Sequence, residues 1–149
     1  DKIVSEVKDV CIGADVIVGF PGETNEEFQK TLHFIKDLPL SYLHVFTYSE
    51  RENTPAMNMD GVVSKLDRAD RSKQLRILSN KLQRAFYEKY LDTEHTALFE
   101  QDDKQGYLFG FTNNYIKIKT PFNDNLCRTK KQVKLIAIDD DGIMKAEIV

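Results

Sequence analysis

Two apolar, strand-like runs enclose a helical pattern in the first third of the chain. Residues 14–20 form a nearly continuous apolar run rich in β-branched side chains, and Pro21-Gly22 ends it. Residues 41–48 form a second such run. Between the two runs, Thr24 and Glu27 have the spacing of a capping box, which marks the start of a helix. The strand–helix–strand order predicts a βαβ unit with parallel strands and a right-handed crossover.

Two further segments have helical periodicity. Residues 1–10 predict a short helix, and residues 64–90 predict a long one after a polar, turn-rich loop at residues 49–61. In the helix that begins at Thr24, the spacing points four side chains inward, namely Phe28, Leu32, Phe34 and Ile35. In the long helix the side chains predicted to point inward are Leu66, Ala69, Leu75, Leu78, Leu82, Ala85 and Phe86. The other faces of this helix carry basic residues, namely Arg68, Arg71, Arg76, Lys81 and Arg84.

After Leu91 the apolar pattern changes to a period of two, which is typical of half-buried strands. Turn-forming Asp, Asn and Gly residues separate five short strands, at residues 96–101, 107–111, 115–119, 132–139 and 143–149. Five antiparallel strands of this length predict a small closed barrel of the oligonucleotide-binding kind. The predicted fold is therefore an α/β unit at residues 1–92 followed by a five-stranded antiparallel β-barrel at residues 93–149.

Composition limits the class of protein. The chain has 149 residues, 41% hydrophobic and 30% charged, so it can bury one ordinary core or two small ones, which argues against wholesale disorder. Its two cysteines, Cys11 and Cys127, lie too far apart in sequence for a disulfide framework or a cysteine-rich metal knuckle. No apolar run is long enough to span a bilayer, and no signal peptide is visible. These features favour a cytoplasmic protein without membrane partners.

The first residues already follow an amphipathic helical pattern, with no cap and no Met before it. This pattern favours a segment of a longer protein. A processed N-terminus is the alternative.

The net charge of −3 conceals a basic segment. Residues 62–90 hold 8 basic and 3 acidic side chains, a balance of +5. Clustered Lys and Arg side chains gain free energy on nucleic acid because counterions are released. A phosphate-binding helix is one interpretation, and a solvated helix face is the other.

The turn at residues 19–24, Gly-Phe-Pro-Gly-Glu-Thr, is a candidate ligand site. It follows a buried strand and precedes a helix, which is where parallel α/β folds bind ligands. It matches neither the dinucleotide motif nor a P-loop, and a purely structural turn explains it equally well. On the next strand, side-chain alternation is expected to place His44, Phe46 and Tyr48 on one face beside this turn. The alternative for His44 is an ordinary core histidine.

The barrel strands combine aromatic and basic side chains. Lys117 and Lys119 share one strand face, and aromatic residues at positions 107, 109, 111 and 115 offer stacking surfaces. Such combinations suit RNA binding, although alternating aromatics could simply fill the barrel while the lysines face solvent. The three histidines, His33, His44 and His95, have no ligand spacing, so we expect no metal site.

Several of these motifs together resemble the radical S-adenosylmethionine (SAM) methylthiotransferases. The resemblance lies in residues 15–24, Asp-Val-Ile-Val-Gly-Phe-Pro-Gly-Glu-Thr, in residues 43–51 and 53–56, and in residues 71–75 of the long helix. Residues 110–115, Gly-Phe-Thr-Asn-Asn-Tyr, resemble the RNA-binding TRAM domain of that family. The resemblance implies the C-terminal part of a radical SAM barrel, which is a partial TIM barrel, followed by a TRAM domain.

Members of this family insert sulfur and a methyl group into a C–H bond. Their substrates are threonylcarbamoyladenosine next to the tRNA anticodon, isopentenyladenosine in tRNA, or an aspartate of a ribosomal protein, and residues 44–51 are most similar to the first branch. The full-length enzymes carry SAM and two [4Fe–4S] clusters. The CxxxCxxC cluster loop is missing here, and neither cysteine matches a cluster ligand, so the resemblance implies a fragment that binds no cluster and is inactive alone. The chain departs from the family's pattern at two places. Thr47 stands where a proline is common, and the turn at residues 123–131 lacks a glycine often found in the TRAM domain.

The resemblance also implies site residues. The expected cofactor-binding residues are Gly19, Phe20, Pro21, Gly22, Glu23, His44, Phe46 and Tyr48. The expected RNA contacts are Arg51, Arg71, Lys117, Lys119, Arg128 and Lys130, which we take to be phosphate positioners. The expected partner is the anticodon region of tRNA, and exposed strand edges of a partial barrel predict dimers or larger species. A freestanding RNA-binding module is the alternative.

Overall fold

A computed structural model describes residues 2–104 and 106–149, with the side chains of residues 102–104 left out. The chain forms two compact units, one of residues 12–83 and one that combines residues 2–11 with residues 84–149. These compact units divide within the long helix, at residues 83 and 84. The domain boundary near residue 92 stays a prediction.

The first unit contains the predicted βαβ arrangement. Its elements are β1 (Gly13–Val18), α2 (Asn25–Lys36), β2 (Tyr42–Thr47), a 3-10 turn (Pro55–Asn58) and most of α3 (Lys65–Glu88); α1 (Lys2–Glu6) precedes them and belongs to the second unit. β1 and β2 pair in parallel, as predicted. The capping box is confirmed as well: Thr24 Oγ1 accepts a hydrogen bond from the Glu27 amide at 3.2 Å, and Glu27 Oε2 accepts one from the Thr24 amide at 2.7 Å.

Among the described residues, only one face of the two-stranded sheet is covered. Alternate residues of both strands pack on α2 and α3 in one core, which contains Val18, Phe28, Leu32, Ile35, Leu43, Val45, Leu75 and Leu78. The other face carries Asp15, Ile17, His44 and Phe46, all exposed. Phe34 was expected to point inward and is exposed, because it lies off the stripe that Phe28, Leu32 and Ile35 form at helical spacing.

The long helix buries Leu75, Leu78 and Phe86 as predicted, but its first turns bury other side chains than the apolar ones. Leu66 is 84% exposed and Ala69 is also exposed, whereas Arg68 and Arg71 are buried. The reason is local: the loops after β1 and β2 present carbonyl and carboxylate oxygens to this part of α3, and arginine side chains satisfy them. Ser64 caps the helix, since its Oγ accepts a hydrogen bond from the Asp67 amide at 3.1 Å.

The second unit is a closed five-stranded barrel, as predicted. Its strands are β3 (Glu94–Lys104), β4 (Tyr107–Thr112), β5 (Lys117–Pro121), β6 (Lys130–Ile138) and β7 (Met144–Ile148), in the closed order β3-β4-β5-β7-β6. The prediction that all strands are antiparallel is wrong, because β5 and β7 run parallel. Strand directions cannot alternate around a closed ring of five, so one neighbouring pair has to be parallel. The barrel core includes Leu108, Ile116, Ile118, Val133, Leu135 and Met144, together with Phe86 and Tyr87 from the end of α3.

Candidate functional site

The loop after β1 is held in shape by hydrogen bonds from the amides of its glycines. Gly19 has φ +79° and Gly22 has φ +90°, conformations that strain other residues. The Gly19 amide donates to Glu23 Oε2 at 2.6 Å, and the Gly22 amide donates to the Gly61 carbonyl at 2.8 Å. The predicted ligand turn at residues 19–23 is therefore a closed loop with Glu23 folded back over its start.

Arg71 of α3 fixes the same loop from the side. Its Nη1 lies 2.6 Å from Glu23 Oε2 and 3.0 Å from the Glu23 carbonyl oxygen. Its guanidinium also lies over the Phe28 ring, 5.5 Å from the centroid. The side chains of Arg71 and Glu23 are 8% and 17% exposed, so this ion pair is largely shielded from water.

Arg68, one helical turn earlier, holds the loop after β2. All three of its guanidinium nitrogens donate: Nε to the Val63 carbonyl at 2.9 Å, Nη1 to the Tyr48 carbonyl at 3.2 Å and Nη2 to Glu50 Oε1 at 2.7 Å. The hydrogen bond from Arg68 lowers the pKa of the Glu50 carboxyl below its usual value. Arg68 was expected outside the apolar stripe, on a helix face that either binds phosphate or is solvated, and its burial was not predicted.

Tyr48 is the predicted cofactor residue with an unmet hydrogen-bonding need. Its side chain is 8% exposed, and its hydroxyl has no hydrogen-bond partner within the described part of the chain. Its ring meets the Phe20 ring edge-on at 5.3 Å, and the Arg68 guanidinium lies 5.1 Å from its centroid. Pro21 is buried and Phe20 is partly exposed beside it. A buried hydroxyl without a partner costs about 1–3 kcal/mol, which a polar ligand group would recover.

His44 and Phe46 lie elsewhere than Tyr48. Both are exposed on the uncovered sheet face, opposite Asp15 and Ile17 in the parallel register. The structure thus brings residues 19–23 together with Tyr48 through Arg68 and Arg71, and it leaves His44 and Phe46 on an open surface. The three side chains expected on one face are therefore separated, because Tyr48 lies beyond the end of β2, where strand alternation no longer applies.

An open groove of about 700 Å³ runs beside the Tyr48 loop. Four basic residues of α3 line it, Lys65, Arg68, Lys73 and Arg76, and Glu50 is its acidic member. Arg76 also donates from Nη2 to the Val45 carbonyl at 3.1 Å. The basic character of residues 62–90 was the sequence signal for this groove, although the pattern did not show which of these side chains are buried.

The predicted aromatic and basic surface of the barrel lies on β4, β5 and the turn between them. The Tyr115 and Phe111 rings stack at 5.0 Å, and Tyr115 is 56% exposed with φ +65°. Lys117 Nζ lies 5.6 Å from the Phe109 ring centroid. Tyr115 and Lys117 therefore present a stacking surface beside a positive charge.

Lys119, expected to contact RNA, is 6% exposed and bound by two carboxylates. Its Nζ lies 2.8 Å from Asp139 Oδ2 and 2.6 Å from Asp141 Oδ2. Hydrogen bonds from Lys119 and then Lys145 lower the pKa of Asp139 to about 2, and the Lys119 hydrogen bond also lowers the pKa of Asp141. Burial alone would lower the pKa of Lys119, but its two carboxylate partners raise it above its usual value.

The other expected RNA contacts are accessible. Arg51, Arg128 and Lys130 are exposed, and Arg128 donates a hydrogen bond to Gln101 from a backbone with φ +57°. RNA contact by Arg71 and Lys119 stays a prediction, but their buried ion pairs favour a structural role.

Within residues 2–104 and 106–149, no group of three or more His, Cys, Asp or Glu side chains is placed to hold a metal ion. None of the helices in the described ranges is long and apolar enough to cross a membrane.

The chain is similar in sequence to methylthiotransferases over most of its length. It is 33% identical over 140 residues to the threonylcarbamoyladenosine tRNA methylthiotransferase of Bacillus subtilis, covering 91% of this chain and 31% of that protein. It is 35% identical over 122 residues to the tRNA-2-methylthio-N(6)-dimethylallyladenosine synthase of Symbiobacterium thermophilum, covering 80% and 26%. It is 34% identical over 113 residues to the ribosomal protein uS12 methylthiotransferase of Alkaliphilus oremlandii, covering 75% and 26%.

No protein-family model matches the chain. The chain spans about a quarter to a third of the length of the curated relatives it matches. The matches extend over most of the chain, although the three relatives are named for different substrates. On this similarity the chain is the counterpart of about a quarter to a third of a methylthiotransferase.

Proposed function

We propose that this chain is part of a radical SAM enzyme that methylthiolates threonylcarbamoyladenosine next to the anticodon of tRNA in the cytoplasm. The observation that carries the proposal is the similarity over 91% of the chain to a relative named for this nucleoside. Two further relatives with the same name, from Aquifex aeolicus and Thermotoga maritima, are 40% and 30% identical. By itself the chain is expected to be inactive, because it covers only part of such an enzyme.

The loops after β1 and β2 suit SAM. The backbone at Gly22 has no Cβ and open space around it, so a ligand can approach closely there, whereas Arg68 fills the corresponding space at Gly19. The Tyr48 hydroxyl, which has no partner among the described residues, offers a hydrogen bond in a buried position. We assign residues 19–23 and Tyr48 to the cofactor site. The other two expected cofactor residues, His44 and Phe46, lie on the uncovered sheet face. When bound, SAM supplies the radical chemistry and the methyl group. The chain's own residues bind and orient it.

Iron–sulfur clusters do not fit the residues of this chain. A [4Fe–4S] cluster is held by several cysteine thiolates, and the chain has only Cys11 and Cys127, both half-buried. Cluster binding therefore requires residues beyond this segment.

The β4–β5 surface of the barrel is the proposed RNA contact. The stacked Tyr115 and Phe111 rings give unpaired bases an aromatic face, and Lys117 supplies charge beside it. Arg128, Lys130 and Arg51 are exposed and serve as phosphate contacts. Arg71 and Lys119 are not proposed as RNA contacts, because carboxylates already bind them.

Disruption of the gene that encodes this chain tests the proposal. Nucleosides from bulk tRNA and peptides of the small ribosomal subunit are measured by mass spectrometry in the parent and the disrupted strain. We expect the methylthio group to disappear from threonylcarbamoyladenosine alone. Its loss from an isopentenyladenosine-type nucleoside or from a ribosomal aspartate would assign the chain to another substrate, as the names of two relatives suggest. If all three modifications persisted, the proposal would be wrong.

A further inference from the structure

We propose that Arg68 and Arg71 are positioning residues for SAM: they hold the loops after β1 and β2 in the shape that binds the cofactor, and they do not contact RNA. The inference rests on the proposed function, since it concerns the same cofactor site. The two residues lie three positions apart on α3, a spacing that places both side chains on one helix face.

Arg71 acts through Glu23. One carboxylate oxygen of Glu23 accepts both from the Gly19 amide and from Arg71 Nη1, each at 2.6 Å. Arg71 also binds the Glu23 carbonyl, so a single guanidinium fixes the backbone and the side chain of this residue. Without that charge, Glu23 would be a poorly solvated carboxylate with one remaining amide partner. It would then turn towards water and release the Gly19 amide.

Arg68 acts on the neighbouring loop. It binds the carbonyls of Val63 and Tyr48 and the carboxylate of Glu50, and thereby links the strand end, the loop and the start of α3. Its alkyl chain also fills the space that a side chain at position 19 would occupy. The two arginines thus set the position of Gly19 and of Tyr48, which belong to different loops.

The alternative role, contact with phosphate, conflicts with burial and donor use. The Arg68 and Arg71 side chains are 5% and 8% exposed, and all three nitrogens of the Arg68 guanidinium already donate. Phosphate would have to displace Glu23 or Glu50 and leave a carboxylate beside another anion. Arginines placed to read phosphate are instead expected to project donors into solvent.

The test uses the full-length protein that carries this chain, purified without oxygen. Arg71→Gln and Arg71→Lys are compared with Arg84→Gln, which removes an exposed arginine with its own carboxylate partner, Glu88, from the same helix. SAM affinity is measured by equilibrium dialysis, tRNA affinity by filter binding and exchange of the Gly19 amide by mass spectrometry. We expect Arg71→Gln to weaken SAM binding roughly 10- to 100-fold, because a loop displaced by about 1 Å loses productive contacts.

Three readouts separate positioning from general structural damage. In the Arg71 variants, Gly19 exchange accelerates while tRNA affinity and the folded fraction stay at the Arg84→Gln level. Arg71→Lys recovers part of the SAM affinity, since one donor still reaches Glu23. In a double-mutant cycle, Arg71→Gln weakens SAM binding less in the Glu23→Gln background than in the unmodified protein, because the carboxylate partner is already gone and only the carbonyl contact remains.

Other results would overturn the inference. Weaker tRNA binding with unchanged SAM affinity would make Arg71 a phosphate contact. Unchanged affinity for both ligands, or additive effects in the cycle, would show that Arg71 does not act through Glu23. If the unmodified protein itself bound no SAM, the proposed function would fail first, and this control distinguishes that case from failure of the arginine role alone.

Discussion

Gly19 has to be glycine for two separate reasons. Its φ of +79° strains any residue with a Cβ, and a Cβ at this position would collide with the side chain of Arg68. Gly22, three residues later, has φ +90° but open space around the same position. The two glycines therefore differ in packing and share the backbone constraint.

This difference predicts unequal costs for two alanine variants. Gly22→Ala should lower the free energy of unfolding by about 1–3 kcal/mol through backbone strain, and Gly19→Ala should lower it further, because Arg68 must also move. Urea denaturation of both variants measures the difference. Equal shifts in midpoint would mean that Arg68 gives way at no cost.

The Lys119 cluster predicts how the barrel responds to pH. Asp139 has a pKa of about 2 in the folded protein and about 3.9 in an unfolded chain, so it stabilises the fold above pH 4. That stabilisation is lost as the pH falls from about 4 to about 2. Because the pKa of Lys119 is raised, its share is fully present below about pH 10.4 and is lost at higher pH, as the lysine deprotonates.

Lys119→Met tests this dependence. Between pH 5 and about pH 2.5 the variant should lose less stability than the unmodified barrel, because only the Lys145 partner of Asp139 remains to lower the pKa of that carboxyl. Lys131→Met is the control, since Lys131 is an exposed lysine of β6. If the stability of the unmodified protein and of Lys119→Met changed with pH in parallel, Lys119 would not be the source of this pH dependence.

Some site residues could be predicted from sequence because their signal is local. Gly19, Gly22 and Glu23 belong to one short motif at the end of a strand, and motif and structure agree on their closeness. Arg71 and Lys119 could be recognised only as basic residues. Their carboxylate partners lie 48 and 22 positions away in sequence, and only the tertiary fold brings them together.

At the scale of elements, periodicity predicted β1, α2 and β2 because each buries one regular face. It failed only for the first turns of α3, where Arg68 and Arg71 take positions that an apolar stripe would otherwise fill. A buried arginine with carbonyl and carboxylate partners is as well satisfied as a leucine in a core, and residue type alone cannot distinguish the two environments.

The β4–β5 surface makes a prediction about RNA. Tyr115→Ala should weaken tRNA binding by about 1–3 kcal/mol through lost base stacking, with little change in the dependence on salt. Lys117→Gln should instead lower the slope of log affinity against log salt by about one unit. Filter binding at several salt concentrations measures both effects.

Phe34→Ala is the matched control for Tyr115→Ala, since it removes an exposed aromatic ring from α2. If Tyr115→Ala and Phe34→Ala bound tRNA equally well, the β4–β5 surface would not be the stacking site.

At the scale of the whole molecule, strand edges decide how the chain meets other copies of itself. The barrel is closed, and the outer edge of β2 is occupied by α3: Ser79 Oγ bonds both to the amide and to the carbonyl of Leu43, at 2.9 and 3.1 Å. β1 pairs only with β2 among the described strands. Beside it, Ile17 and Phe46 are 54% and 53% exposed on the uncovered face.

We therefore expect this chain to self-associate through β1 and the uncovered face. Ile17→Lys should shift sedimentation towards the monomer, because a charge on that face opposes apolar contact. Phe34→Lys, a change of the same kind on α2, should not. A monomer at all concentrations for the unmodified chain would show that neither the edge nor the face is adhesive.

The parallel seam between β5 and β7 also affects how the barrel opens. Only two residue pairs form this ladder, Ile118 with Met144 and Lys119 with Lys145, whereas each of the other ladders has five. Asp139 binds the lysines of both strands and so joins the two sides of the seam. Transient opening should therefore begin here, and the two carboxylates around Lys119 determine how often the ring becomes an open sheet with two bare edges.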